Sequence, residues 1–240
     1  MEKKDLRNRI ETANGRTKAQ LVFKNARYVN VFTEKIEQAD IALCDGYIAG
    51  IGHYDGENEV DLQDAILIPG LMDGHIHIES TMLNPEHLQD ALLPHGTTGI
   101  FADPHEIANV AGTIGLEYMM QKSRDLTLPV YYMLPSCVPA NPMDEAGATL
   151  LAGDLAPYME NEQVRGLAEL MDAYATADGS QSVLDKVLNA IKAHKRIDGH
   201  APGLSGKLLN AYIAAGVQSD NGKGLIHVAG QTIVDLTFEE

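Results

Sequence analysis

The pattern of apolar and polar positions changes character near residue 67. Before it, apolar residues come in short runs suited to a pleated, half-buried surface. Leu21-Val22-Phe23-Lys24-Asn25-Ala26-Arg27-Tyr28-Val29-Asn30-Val31-Phe32 is rich in β-branched and aromatic residues. Asp40-Ile41-Ala42-Leu43-Cys44 and Tyr47-Ile48-Ala49-Gly50-Ile51-Gly52 flank the dipeptide Asp45-Gly46, which signals a hairpin. Residues 20–68 therefore read as a small β-sandwich segment, and the charged residues 1–19 as a short helix or loose arm.

From residue 67 the pattern becomes strand–helix alternation. Strands are expected at 67–77, 98–103, 130–135, 165–170, 196–200 and 216–219, and helices at 84–94, 106–123, 151–161, 180–194 and 205–215. Pro85 suits a first helical turn and Gly96 a C-cap. The fold class is α/β, a partial (β/α) TIM-type barrel of about six strands where closure takes eight. Residues 69–220 form this incomplete barrel and 221–240 a divergent tail. An open sheet leaves strand edges and core exposed, so the isolated chain is expected to be marginally stable, to self-associate or to need a partner.

Composition narrows the partners. The 240 residues can bury a sizeable core. With 18 basic and 34 acidic side chains the net charge is −16, which argues against a nucleic-acid or anionic-membrane partner. Cys44 and Cys137 are far apart and in no C-x-x-C pair, so both read as small buried residues in a reducing, cytoplasmic setting. No apolar run approaches the roughly 20 residues that span a bilayer, and the charged start Met1-Glu2-Lys3-Lys4 lacks a signal-peptide core.

Four segments carry candidate chemistry. Pro69-Gly70-Leu71-Met72-Asp73-Gly74-His75-Ile76-His77-Ile78-Glu79-Ser80 places two histidines at i and i+2. On a strand these share a face and can reach one metal ion; two such histidines are also a common polar surface. Ala102-Asp103-Pro104-His105-Glu106 stands at a strand end, where barrel enzymes place catalytic groups. The same residues read equally as a helix start, with Asp103 the N-cap, Pro104 the first position and Glu106 completing a capping box. Glu169 interrupts the apolar run Leu167-Ala168-Glu169-Leu170; it is either a solvent-facing strand end or a carboxylate paired with a cation. His200, in Asp198-Gly199-His200-Ala201-Pro202-Gly203, is either a metal ligand or a loop cap. His77-Ile78-Glu79 matches the first half of the zinc nucleoside-deaminase signature, but the P-C-x-x-C half is missing.

Together, PGLMDGHIHIESTML (69–83), LLPHGTTGIFADPHEIANVAG (92–112), GLAELMD (166–172) and DGHAPGLSGKLLNAYIAAGVQSD (198–220) resemble the bacterial adenine deaminases of the amidohydrolase superfamily. The resemblance implies two divalent metal ions, manganese or iron. It implies His75 and His77 on the first metal, Glu169 bridging both, and His200 on the second. Asp103, His105 and Glu106 would handle protons nearby, making Glu169, Asp103, His105 and Glu106 the catalytic group. The implied reaction is attack of metal-activated hydroxide on C6 of a purine substrate, turning adenine and water into hypoxanthine and ammonia. A homo-oligomer is expected, with no nucleic acid or membrane as partner. Asn221 stands where the family carries a further histidine. Hydrolysis of a cyclic amide, or a truncated homologue that binds metal or a partner without turnover, are the competing readings.

Overall fold

The computed structural model describes residues 2–220 and the paired stretches His227–Val228 and Gln231–Thr232. Asn221 lies outside the described residues, as does the expected tail apart from those two stretches. Contacts cluster in two units, Met1–Pro69 and Gly70–Glu240.

In the first unit α1 (Lys3–Ala13) precedes β1 (Ala19–Asn30), β2 (Lys35–Cys44), β3 (Tyr47–Gly52), β4 (Gly56–Asp61) and β5 (Ile66–Leu67). The strands form one mixed sheet: β2 pairs antiparallel with β1 and β3, while β4 and β5 run parallel to β1. The β2–β3 hairpin turns at Asp45 and Gly46, both at positive φ (51° and 75°), as the Asp-Gly signal requires. Ala19, Val22 and Ala42 form the core beneath Tyr54. One buried carboxylate, Asp40, accepts from the Lys24 ammonium at 2.5 Å and the Asn25 N–H at 3.2 Å.

The second unit is built on β6 (Leu71–Ile76), β7 (Thr97–Ala102), β8 (Val130–Leu134), β9 (Val164–Leu170), β10 (Arg196–Gly199) and β11 (Ser219–Asp220). All neighbours are parallel, in the order β11-β10-β9-β8-β7-β6, so each strand lies beside its predecessor as in a (β/α) barrel. The helices are α2 (Pro85–Leu92), α3 (His105–Ser123), α4 (Ala152–Leu155), α5 (Ala173–Ala177), α6 (Gln181–Lys192) and α7 (Gly206–Ala214). Tyr132, Leu134, Leu167 and Leu170 pack with helix residues Leu116, Met119, Val187 and Tyr212 in one core. Both faces of β8 and β9 are covered, which is why their sequences read as apolar runs rather than alternations.

Local expectations changed at four places. The strand expected at 67–77 is divided between β5 and β6 across Pro69 and Gly70, and that expected at 216–219 is confined to Ser219–Asp220. The helix expected at 151–161 is short, α4 followed by a 3₁₀ turn at Ala156–Tyr158, because Pro157 stands in that second turn. At the start of α3 the N-cap is Pro104, with no side-chain cap; Asp103 is fully buried and turned to His105 instead. No capping box forms, since the Glu106 Oε1 accepts from the Ser80 hydroxyl at 2.5 Å.

Candidate metal centre

The site assembles where the β-strands end. His75 lies within β6 and His77 one residue beyond it, so both rings leave the same face. Their Nε2 atoms approach to 3.0 Å, with the rings edge to face. The carbonyl of Asp103, at the end of β7, lies 3.0 Å from the His77 Nδ1 and leaves Nε2 for the site. Glu169 arrives from β9, only 3% exposed among apolar neighbours.

Glu169 is the hub. Its Oε1 lies 3.1 Å from His200 Nδ1 and 3.7 Å from His75 Nε2. Its Oε2 lies 3.4 Å from His105 Nδ1 and 3.8 Å from His77 Nε2. One carboxylate thus turns an oxygen toward each of two imidazole groups. Burial opposes its charge, but His200, His75 and His77 outweigh that and hold the carboxyl below the usual carboxylate range. Asp103 accepts from His105 Nδ1 through Oδ2 at 2.9 Å. Burial pushes the Asp103 carboxyl up, with the His105 bond opposing. Burial works against a charged His105, yet bonds to Asp103 and Cys137 lift the ring to about 11.

Four ligand-type atoms, one each from His77, Asp103, His105 and Glu169, lie within 4.8 Å of one another. Asp103 Oδ1 and Glu169 Oε2 are buried without a hydrogen-bond partner. Unsatisfied lone pairs at this depth are costly, and a divalent cation satisfies several at once. Imidazole and carboxylate donors suit such an ion, so the residues present fit a metal group.

Of the expected site residues, His75, His77, Asp103, His105, Glu169 and His200 come together. Glu106 does not join the ligand group: its carboxylate is engaged by Ser80 and sits beside Glu79, whose Oε1 accepts from the Ile107 N–H at 3.0 Å.

Three neighbours escaped the sequence reading. Asp198 Oδ2 lies 3.7 Å from His75 Nδ1, while its Oδ1 accepts from the Ser219 hydroxyl at 2.7 Å and the Gly199 N–H at 2.9 Å. Its alternation with His200 was the available signal. The buried Tyr212 hydroxyl accepts from the His200 N–H at 2.8 Å and donates to the Leu170 carbonyl at 2.9 Å, tying the ends of β9 and β10 together. Cys137 reaches the His105 ring. Both cysteines are free and buried.

The atrazine chlorohydrolase TrzN of Arthrobacter aurescens TC1, solved complexed with zinc, superposes with a TM-score of 0.56 at 12% identity, covering 83% of this chain and 59% of that one. The adenine deaminase of Bacillus licheniformis is 46% identical over 92% of this chain and 39% of its own length. That of Oceanobacillus iheyensis is 48% identical over 90% and 37%, and that of Bacillus subtilis 44% over 92% and 38%. The chain thus spans under two-fifths of these relatives' length. The amidohydrolase family model matches residues 66–238, most of the chain and every strand of the parallel sheet, and on that match this chain belongs to the amidohydrolase family.

Proposed function

We propose that the site is the two-metal centre of an adenine deaminase, which turns adenine and water into hypoxanthine and ammonia. The observation that carries this reading is the Glu169 carboxylate, with Oε1 facing His200 and His75 and Oε2 facing His77 and His105. A carboxylate that turns one oxygen to His200 and the other to His77 is disposed to reach two cations. The likeness to adenine deaminases over some 90% of the chain supports the purine as substrate. His75 and His77, whose Nε2 atoms lie 3.0 Å apart, would hold one ion and His200 the other, with Glu169 within reach of all three. Bound divalent ions, manganese or iron, supply water acidified to near neutral pH.

The chain's own groups do the rest. Asp103 orients His105 through the Nδ1–H bond, and this pair holds the proton that the departing amine requires. Asp198 orients His75 from the side away from Glu169. Glu106, next to Glu79, is an outer proton-handling carboxylate. In the same reading the protein works in the cytosol in purine salvage and forms a homo-oligomer. The two free, buried cysteines fit a reducing compartment, and the exposed Ile114 and Tyr118, four residues apart on α3, offer an apolar contact face.

The test is ammonia release from adenine by the purified chain loaded with manganese, with His75→Ala as control and a hydantoin and a dihydropyrimidine as competing substrates. Adenine turnover lost in the control is the expected result. Turnover of a cyclic amide instead, or none at saturating manganese, overturns the proposal for this chain.

A further inference from the structure

Lys186 is unlike the other lysines. It sits in α6 with its side chain only 9% exposed, and among the described residues no carboxylate lies within ion-pair distance of it. Its ammonium donates to a neutral acceptor, the Ser136 carbonyl, at 2.6 Å. Burial pushes it below its ordinary value. A buried cation on one carbonyl is an expensive way to fill space, and an apolar side chain of equal length packs at lower cost.

What the ammonium holds is the short segment after β8. The Ser136 hydroxyl donates in a short bond to the Glu169 carbonyl, two residues beyond the β8–β9 pair Leu134↔Leu167. From this anchor Ser136 reaches the backbone of the hub carboxylate. The ladder between β8 and β9 ends at Leu134↔Leu167, below this height, so the side chains set the spacing.

We propose that Lys186 is a positioning residue of the metal centre, holding Ser136 so that its hydroxyl fixes the backbone of Glu169. This rests on the reading of Glu169 as a metal ligand. Lys186 acts through the loop and touches neither substrate nor ion. Groups behind metal ligands commonly change affinity 10- to 100-fold, so loosening this loop is expected to weaken manganese binding about tenfold. A cavity of about 260 Å³ bordered by Ser136, Leu170, Thr176, Val183 and Lys186 gives room to restore the contact from outside.

The experiment is manganese titration of the full chain, read by calorimetry and by loss of the free aquo-ion's electron-spin resonance, with melting curves in chelator alongside. Lys186→Met is expected to bind manganese about tenfold more weakly, with a metal-free Tm unchanged or raised. Ser136→Ala is expected to match it, and the double variant to lose no more than either alone. In Lys186→Ala, n-butylamine is expected to restore affinity. Wild-type affinity in both Lys186→Met and Ser136→Ala overturns the inference while leaving the metal reading intact. So does weakened binding that tracks a fall in metal-free Tm and does not respond to amine. Should Lys186→Met fail to fold, Ser136→Ala decides alone, since it removes one oxygen. A wild-type chain that binds no manganese overturns the metal reading and this inference with it.

Discussion

Tyr212→Phe removes one oxygen atom and leaves the packing in place. The hydroxyl is fully buried and serves two backbone groups, accepting from the His200 N–H and donating to the Leu170 carbonyl. With phenylalanine the N–H of His200 has no partner and no water can reach it, while the Leu170 carbonyl loses the Tyr212 donor. At about 1–3 kcal/mol per buried group left unmade, the expected loss is about 2–3 kcal/mol. At about 2–4 °C per kcal/mol for a chain of this size, Tm should fall by roughly 4–12 °C. Tyr132→Phe is the internal control. Its hydroxyl also donates to a buried carbonyl, that of Met119, at 2.8 Å. That carbonyl keeps a second donor, the Ser123 hydroxyl at 2.9 Å, so the loss there should be about 1 kcal/mol. Urea unfolding followed by circular dichroism, with unchanged m-values, measures both. Equal losses, or a Tyr212→Phe loss below that of the control, would refute the argument that the strand ends depend on this hydroxyl.

Three other outcomes are expected. Gly166→Ala puts a Cβ 2.4 Å from the Arg196 carbonyl oxygen, which is backbone and cannot swing away; β9 and β10 must part, at about 1–3 kcal/mol in the same urea assay. Burial raises the Asp40 carboxyl, but Lys24 and the Asn25 N–H outweigh it and hold it below its ordinary value. A depressed folded value gives stability that is complete above the ordinary carboxylate range and lost as pH falls through the folded value, so unfolding titrations should show a loss below about pH 4 that Asp40→Asn lacks. Manganese at a hundred times its Kd should stabilise the chain by about 2.7 kcal/mol in thermal melts, and chelator should reverse it; His75→Ala should show no such gain.

How much of this was legible depends on how far each signal travels along the chain. His75 and His77 announced themselves because strand side chains repeat every second residue, so an i, i+2 pair shares a face in any strand. Glu169 stood out because a carboxylate in an apolar run must find a partner. The succession of strands and helices needed only local periodicity, and the six parallel strands follow it in chain order. The start of α3 shows the limit. Asp103-Pro104-His105-Glu106 satisfies a helix-capping pattern and a site pattern equally well in sequence, and only burial turned Asp103 to His105 and left Glu106 with Ser80.

The residues that sequence reasoning passed over act across long separations. Lys186 meets Ser136 and Tyr212 meets Leu170 from 50 and 42 residues away, and neither contact leaves a periodic trace. Local pattern therefore determined which residues could serve as ligands and which faces they share, because strand and helix geometry repeats at fixed intervals. Tertiary packing decided that Glu169 stands between two imidazole groups and which backbone groups hold it there. Those positions depend on the order in which the strands lie side by side and on which polar atoms are left without water.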